Sequence, residues 1–229
     1  MSTHILDLER VEDSLRAVQA QLGEVRANQG LAVEPLEDQV IRNIMHGYEL
    51  VDSLVAEGTD VLAYGNTRQL LELNARVLCG VDPERRKTLA GHLRASEERF
   101  YDHPHGGIGA LVDWYKLHQG APVWDRAAGA FLKMVADPQL FIEGNHRTGV
   151  LFMTYLLLRE GEPPFVLCTC NLQSFFRVSS AIAHRRRAGL AALFSGPRLR
   201  HDLADLLHDN AGICRDYLLS ARRLSFQGA

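Results

Sequence analysis

The stretch Phe141-Ile142-Glu143-Gly144-Asn145-His146-Arg147-Thr148-Gly149 runs straight into Val150-Leu151-Phe152-Met153-Thr154-Tyr155-Leu156-Leu157-Leu158. Charged, amide and glycine residues stand at the mouth of a nearly all-apolar segment. That segment falls short of the roughly 20 apolar residues of a membrane helix. It is also too apolar for a surface helix, so it predicts a buried helix entered from a loop, with Asn145 as the N-cap. The first turn of a helix presents N–H groups and the positive end of its dipole, which favour an anion. Arg147 adds a planar cationic fork suited to phosphate oxygens, and Glu143 adds a hard carboxylate suited to Mg²⁺. The expected site is therefore a nucleotide-phosphate loop at Gly144, Asn145, His146 and Arg147, with Glu143 as a metal ligand.

Outward from this loop the periodicity is helical almost everywhere. Leu8, Val11, Leu15, Val18 and Leu22 recur at threes and fours, which predicts a helix over 5–28. Further helices are predicted over 36–56, from 67 to the break at Gly80, over 108–118 and over 122–137. Asp82-Pro83-Glu84 carries a helix-start signal, and Gly161-Glu162-Pro163-Pro164 closes the helix that follows the loop. Ser195-Gly196-Pro197 and Asn210-Ala211-Gly212 predict breaks in the last third. Between Leu93 and His105 the pattern weakens, and His92-Leu93-Arg94 with Arg99-Phe100-Tyr101 suggests a short β-hairpin. The predicted fold class is mostly α, with one small hairpin.

A chain of 229 residues suffices for one sizeable core. Its net charge of −3 argues against a general nucleic-acid binder, whose footprint is basic. The run His184-Arg185-Arg186-Arg187 is the local exception and reads as a solvated helix face. Cys168-Thr169-Cys170 is too tight for a zinc knuckle and has no second pair. Reduced, partly buried thiols are expected there and at Cys79 and Cys214. No segment reads as a signal peptide or membrane span, so a cytoplasmic protein is expected, with no membrane partner and with homo-oligomers compatible. Gly106-Gly107-Ile108-Gly109 lacks the strand and spacing of a dinucleotide fingerprint.

Residues 139–150 resemble the signature loop of the Fic/Doc (Fido) family, H-P-F-x-D/E-G-N-G-R-x-x-R. Phe141, Glu143, Gly144, Asn145 and Arg147 match the pattern. Gln139 stands at the family's catalytic histidine, Leu140 at its proline, His146 at its third small residue and Val150 at its second arginine. The resemblance implies a helical bundle around a central buried helix, a β-hairpin flap near 91–102 that registers a protein target by strand addition, and Mg²⁺ with ATP or another nucleotide. It divides the chain into N-terminal helices over 1–65, a Fic-like core over 66–165 and C-terminal helices over 166–229. Ser53-Leu54-Val55-Ala56-Glu57-Gly58 fits the family's inhibitory-helix pattern S/T-x-x-x-E-G/N, making Ser53, Glu57 and Gly58 regulatory candidates.

The departures bear on activity. A general base must accept a proton, and the Gln139 amide has negligible basicity. Losing a general base costs about 10²–10⁴ in rate. The expected function is a weak or inactive relative of protein AMP transferases that still binds phosphate. The alternatives are a transferase of altered chemistry, either a kinase-like phosphotransferase or one using a non-nucleotide donor, and a non-enzymatic, antitoxin-like interaction module. Replacement bases to weigh are His146, His103, His105 and Glu57. His146 reads as a phosphate contact or a plug of the loop ahead of a base; one branch of the family carries lysine there.

Overall fold

The computed structural model describes residues 4–29, 36–102, 106–136, 138–187 and 196–219. At its centre is the predicted buried helix, α8 (Asn145–Arg159), in which every residue from Leu151 to Leu158 is buried. Leu151, Phe152, Met153 and Leu157 are fully enclosed. The polar Thr154 is accommodated because its hydroxyl donates to Phe165 O at 2.7 Å. Two neighbours approach α8 through glycine. Leu151 occupies the space a side chain at Gly47 would need, on α2 (Asp38–Ala56), and a Cβ at Gly149 would come 2.7 Å from Phe131 of α7 (Val123–Val135).

The stripe Val11, Leu15, Val18 and Leu22 on α1 (Leu8–Gln29) is buried as predicted, and α3 (Arg68–Cys79) packs against both α2 and α8. α4 (Pro83–Thr88) starts at Asp82, whose carboxylate accepts from Glu84 N at 2.9 Å. α6 (Gly107–Leu117) leans on α7, where Trp114 fills the place of a side chain at Gly129. α9 (Leu172–Arg187) and α10 (Gly196–Cys214) close the bundle, and a 3₁₀ turn (Arg215–Tyr217) leads back to the start of the chain. Leu6 and Leu218 pair as an isolated antiparallel bridge, Asp7 N donates to Tyr217 O at 2.8 Å, and Leu219 N donates to Ile5 O at 3.0 Å. The buried Asp52 carboxylate accepts from Ile5 N and Leu6 N at 2.7 and 2.8 Å and fixes this junction to α2.

Three sequence expectations are corrected. The hairpin expected near 91–102 is a helix, α5 (Ala90–Asp102), and the described residues contain no strand beyond the Leu6–Leu218 bridge. Ser96 and Phe100 are buried at helical spacing, while Arg94 and Glu98 pair across one turn at 3.1 Å. Asn210-Ala211-Gly212 does not break α10: Leu203, Ala204, Leu207 and Cys214 are buried along its inner face, and the Asn210 amide donates to Leu206 O at 2.7 Å. Cys168 and Cys170 form a disulfide rather than two thiols, with Cα atoms 5.3 Å apart. The turn that brings them together is locked by Asn171, which accepts from Cys168 N and donates to Val166 O, each at 2.9 Å. Cys79 and Cys214 are buried thiols as expected, and burial pushes the Cys214 thiol up to about 11.

Candidate functional site

The loop before α8 is held in place from three sides. Gly144 is the N-cap, with φ of +76°, and a Cβ there would meet Asn74 Nδ2 at 2.9 Å. Only glycine takes this conformation without strain in so close a space. The left-handed turn changes the expected role of Asn145, which is the first residue of the helix rather than its cap. Its side chain reaches back four residues, accepting from Phe141 N at 2.8 Å and donating to Phe141 O at 2.9 Å. Asn145 is a clamp on the loop. Phe141 itself is fully buried, stacked on Phe100 of α5 with ring centroids 5.5 Å apart.

Helices α3 and α5 supply the remaining ties. Asn74 donates to Glu143 O at 2.9 Å and to Thr148 Oγ1 at 3.0 Å. Arg99 Nε donates to Gln139 O at 2.7 Å, and Ile142 N reaches Ser96 Oγ at 3.4 Å. The Glu143 carboxylate stays about half exposed between two partners: Arg147 Nη2 lies 3.7 Å from one oxygen and His92 Nε2 lies 3.7 Å from the other. His92 Nε2 is shielded from solvent and makes no hydrogen bond. Sequence reasoning misses this residue, because its place beside Glu143 depends on 90–102 being a helix.

Behind the loop lies a cavity of about 490 Å³. Gln139, Glu143, His146 and Arg147 stand on its loop side, so four of the residues singled out in the sequence converge on one mouth. The His146 ring meets Phe131 edge-on at 5.9 Å. Val150, one turn further along α8, adds an apolar side chain where the resemblance places a second arginine. Other walls come from Leu15 and Leu22 of α1, Val40 and Ile44 of α2, and Phe175 and Phe176 of α9. Tyr48 also lines the cavity, and burial pushes its phenol well above the ordinary tyrosine range, so it stays protonated.

A second, open depression of about 650 Å³ lies on the other side of Asn74 and Ser96, between α3 and α5. Beside it Glu72 accepts from Arg76 at 2.9 Å and from Arg86 at 2.8 and 2.9 Å. Burial alone would raise the Glu72 carboxyl, but these hydrogen bonds hold it below the usual carboxylate range.

Ser53, Glu57 and Gly58 are not brought to the loop. They lie at the C-terminal end of α2, with Ser53 Oγ donating to Glu49 O and Glu57 exposed. The adjoining Thr59 O accepts from Tyr155 Oη at 2.6 Å, and Tyr155 lies about 15 Å along α8 from Asn145. The cavity is lined by the opposite half of α2. His103 and His105, and the side chains of 184–187, lie outside the described residues. Among the described residues no three His, Cys, Asp or Glu side chains gather as a metal site, and Glu143 is the one carboxylate at the cavity mouth. No helix of the described residues is long and apolar enough to cross a membrane. No family model matches the chain, and no curated protein matches it.

Proposed function

We propose that the chain is a Fic-like helical protein whose loop 139–147 holds a phosphate of a nucleotide or another phosphoester, and that it is weak or inactive in ordinary AMP transfer. The observation that carries the reading is the convergence of Arg147, His146 and Glu143 on a cavity at the start of the buried helix. A glycine cap brings no side chain of its own over the first turn, and the dipole there favours an anion. Glu143 supplies one hard oxygen ligand. Mg²⁺ usually takes one or two carboxylates with phosphate oxygens and water, so a metal would arrive with its phosphate rather than find a ready cage.

Gln139 lines the same mouth, where its amide can hydrogen-bond a ligand but cannot take a proton from a hydroxyl nucleophile. With α5 in place of a hairpin, residues 90–102 offer no strand edge for a target to extend. Both features favour binding over rapid transfer to a protein.

Thermal unfolding with phosphate, AMP and ATP, with and without Mg²⁺, tests the binding reading. A ligand at 100 times its dissociation constant adds about 2.7 kcal/mol of stability, and Arg147→Ala should abolish the shift. Should no phosphate compound stabilise the wild type, the loop is not a phosphate site and the interaction-module reading takes over. Incubation with labelled ATP and a cell lysate tests the activity half. Strong Mg²⁺-dependent labelling of protein by the unaltered chain would overturn it.

A further inference from the structure

We infer that the Cys168–Cys170 disulfide is a thiol–disulfide exchange site, entered at Cys170 by a low-molecular-weight thiol of the glutathione class. The inference is independent of the phosphate reading and concerns the segment between α8 and α9. The bond is not needed to hold its own turn. Asn171 accepts from Cys168 N and donates to Val166 O, each at 2.9 Å, while Asn171 N and Leu172 N donate to Cys168 O at 3.2 and 3.0 Å. Just upstream, Thr154 Oγ1 donates to Phe165 O at 2.7 Å and Ser14 Oγ donates to Leu167 O at 2.9 Å. None of these bonds involves a sulfur of the pair. The cross-link also joins residues only two apart. The chain entropy a disulfide removes grows with the loop it closes, so this one restrains the unfolded chain less than a long-range bridge would.

Two features equip the bond for exchange. The first is unequal access: Cys168 is 6% exposed, whereas Thr169 and Cys170 are both exposed. The second is position. The pair stands immediately before α9, a helix of 16 residues, and the positive end of a helix dipole favours a thiolate. An incoming thiolate attacks Cys170 Sγ and forms a new S–S bond to it. The Cys168–Cys170 bond breaks, its electron pair leaves on Cys168 Sγ, and that thiolate takes a proton from water. A second small thiolate attacks the sulfur of the bound one, releasing Cys170 as a thiolate and the two small thiols as their symmetric disulfide. Two electrons thus pass to the protein from two thiols, which are oxidised, and the reverse sequence closes the bond.

The experiment follows the oxidised full chain in reduced glutathione at neutral pH without denaturant, by acid quenching and peptide mass spectrometry, with circular dichroism alongside. The disulfide should open while the helical signal and a cooperative urea transition persist. At early times the small thiol should be found on Cys170, with the buried Cys79 and Cys214 unmodified. Oxidised glutathione should then re-form the bond. Cys168→Ser and Cys170→Ser each leave one cysteine of the pair. Labelling by oxidised glutathione should be about tenfold or more faster for Cys170 than for Cys168, because access controls exchange. Equal rates, a faster Cys168, or a wild-type adduct on Cys168 overturn the inference. A bond that opens only in denaturant, or whose reduction unfolds the chain, is a structural staple and overturns it too. So does a pair that oxidised glutathione cannot close. The wild-type series decides alone if either variant fails to fold.

Discussion

Replacing Asn145 by alanine removes the clamp on the loop, and because Asn145 also borders the cavity the test is read on stability rather than on binding. Asn145 is 3% exposed, and its amide bonds twice to the backbone of Phe141, which is itself fully buried. The substitution leaves one N–H and one C=O without the partner that satisfied them. Each buried orphan costs about 1–3 kcal/mol. Water entering from the adjacent cavity would relieve part of this, so a total of about 2–4 kcal/mol is expected. In a chain of this size that lowers the melting temperature by about 5–15 °C. Urea unfolding followed by circular dichroism should show a reduced midpoint with an unchanged slope. Hydrogen exchange should show the Phe141 amide losing protection more than the amides of α8. Asn145→Asp makes a sharper control. It keeps an acceptor for Phe141 N but sets a carboxylate oxygen against Phe141 O, so it should be at least as damaging as alanine at neutral pH. It should recover partly in acid, where the protonated carboxyl can donate. A cost below about 0.5 kcal/mol for Asn145→Ala, with Phe141 protection intact, would refute the clamp.

Other changes test separate parts of the argument. Gly144→Ala should destabilise by about 1–2 kcal/mol from its left-handed conformation alone, and by more because the new Cβ meets Asn74; a melting curve decides it. The Glu72 carboxyl is depressed in the folded state, so its stabilising contribution is present above the ordinary carboxylate range and lost as pH falls through the folded value. The difference in urea midpoint between wild type and Glu72→Gln should therefore shrink from about pH 6 to pH 3; an unchanged difference would remove Arg76 and Arg86 as its cause. Peptide mass spectrometry under non-reducing conditions should find the segment carrying Cys168 and Cys170 two hydrogens lighter than its reduced form, whereas ready alkylation of both would restore the two-thiol expectation.

What the sequence conveyed tracks how local the determinants are. α8 is legible because its apolar run is continuous, and α1 because Val11, Leu15, Val18 and Leu22 repeat without interruption. α5 is not, because it buries only Ser96 and Phe100, too sparse a stripe to outweigh its flanking aromatic and histidine residues. The gathering of Glu143, His146 and Arg147 follows from their adjacency on a helix start. The sequence does not show Asn145 as a clamp because the left-handed turn at Gly144, which sends its amide back to Phe141, depends on packing against Asn74, Val77 and Leu78. The six-residue pattern at 53–58 carries no information about which end of α2 faces the loop. That is decided by the contact of Thr59 with Tyr155, nearly a hundred residues away in sequence. His92 needed both a correct helix and its neighbour, and no short-range signal supplies either.

The junction of Leu6 with Leu218 puts a clock on the making of the cavity. α1 carries Leu15 and Leu22, two of its walls, yet the backbone partners of the segment leading into α1 are at Tyr217 and Leu219. At a synthesis rate of about 5–20 residues per second, roughly ten seconds or more separate the emergence of those two regions from the ribosome. Throughout that interval α1 presents its apolar stripe without its final anchor, a surface that chaperones can hold. A chain cut short before residue 219 would carry the loop at 139–147 without the backbone bonds that anchor the segment leading into α1.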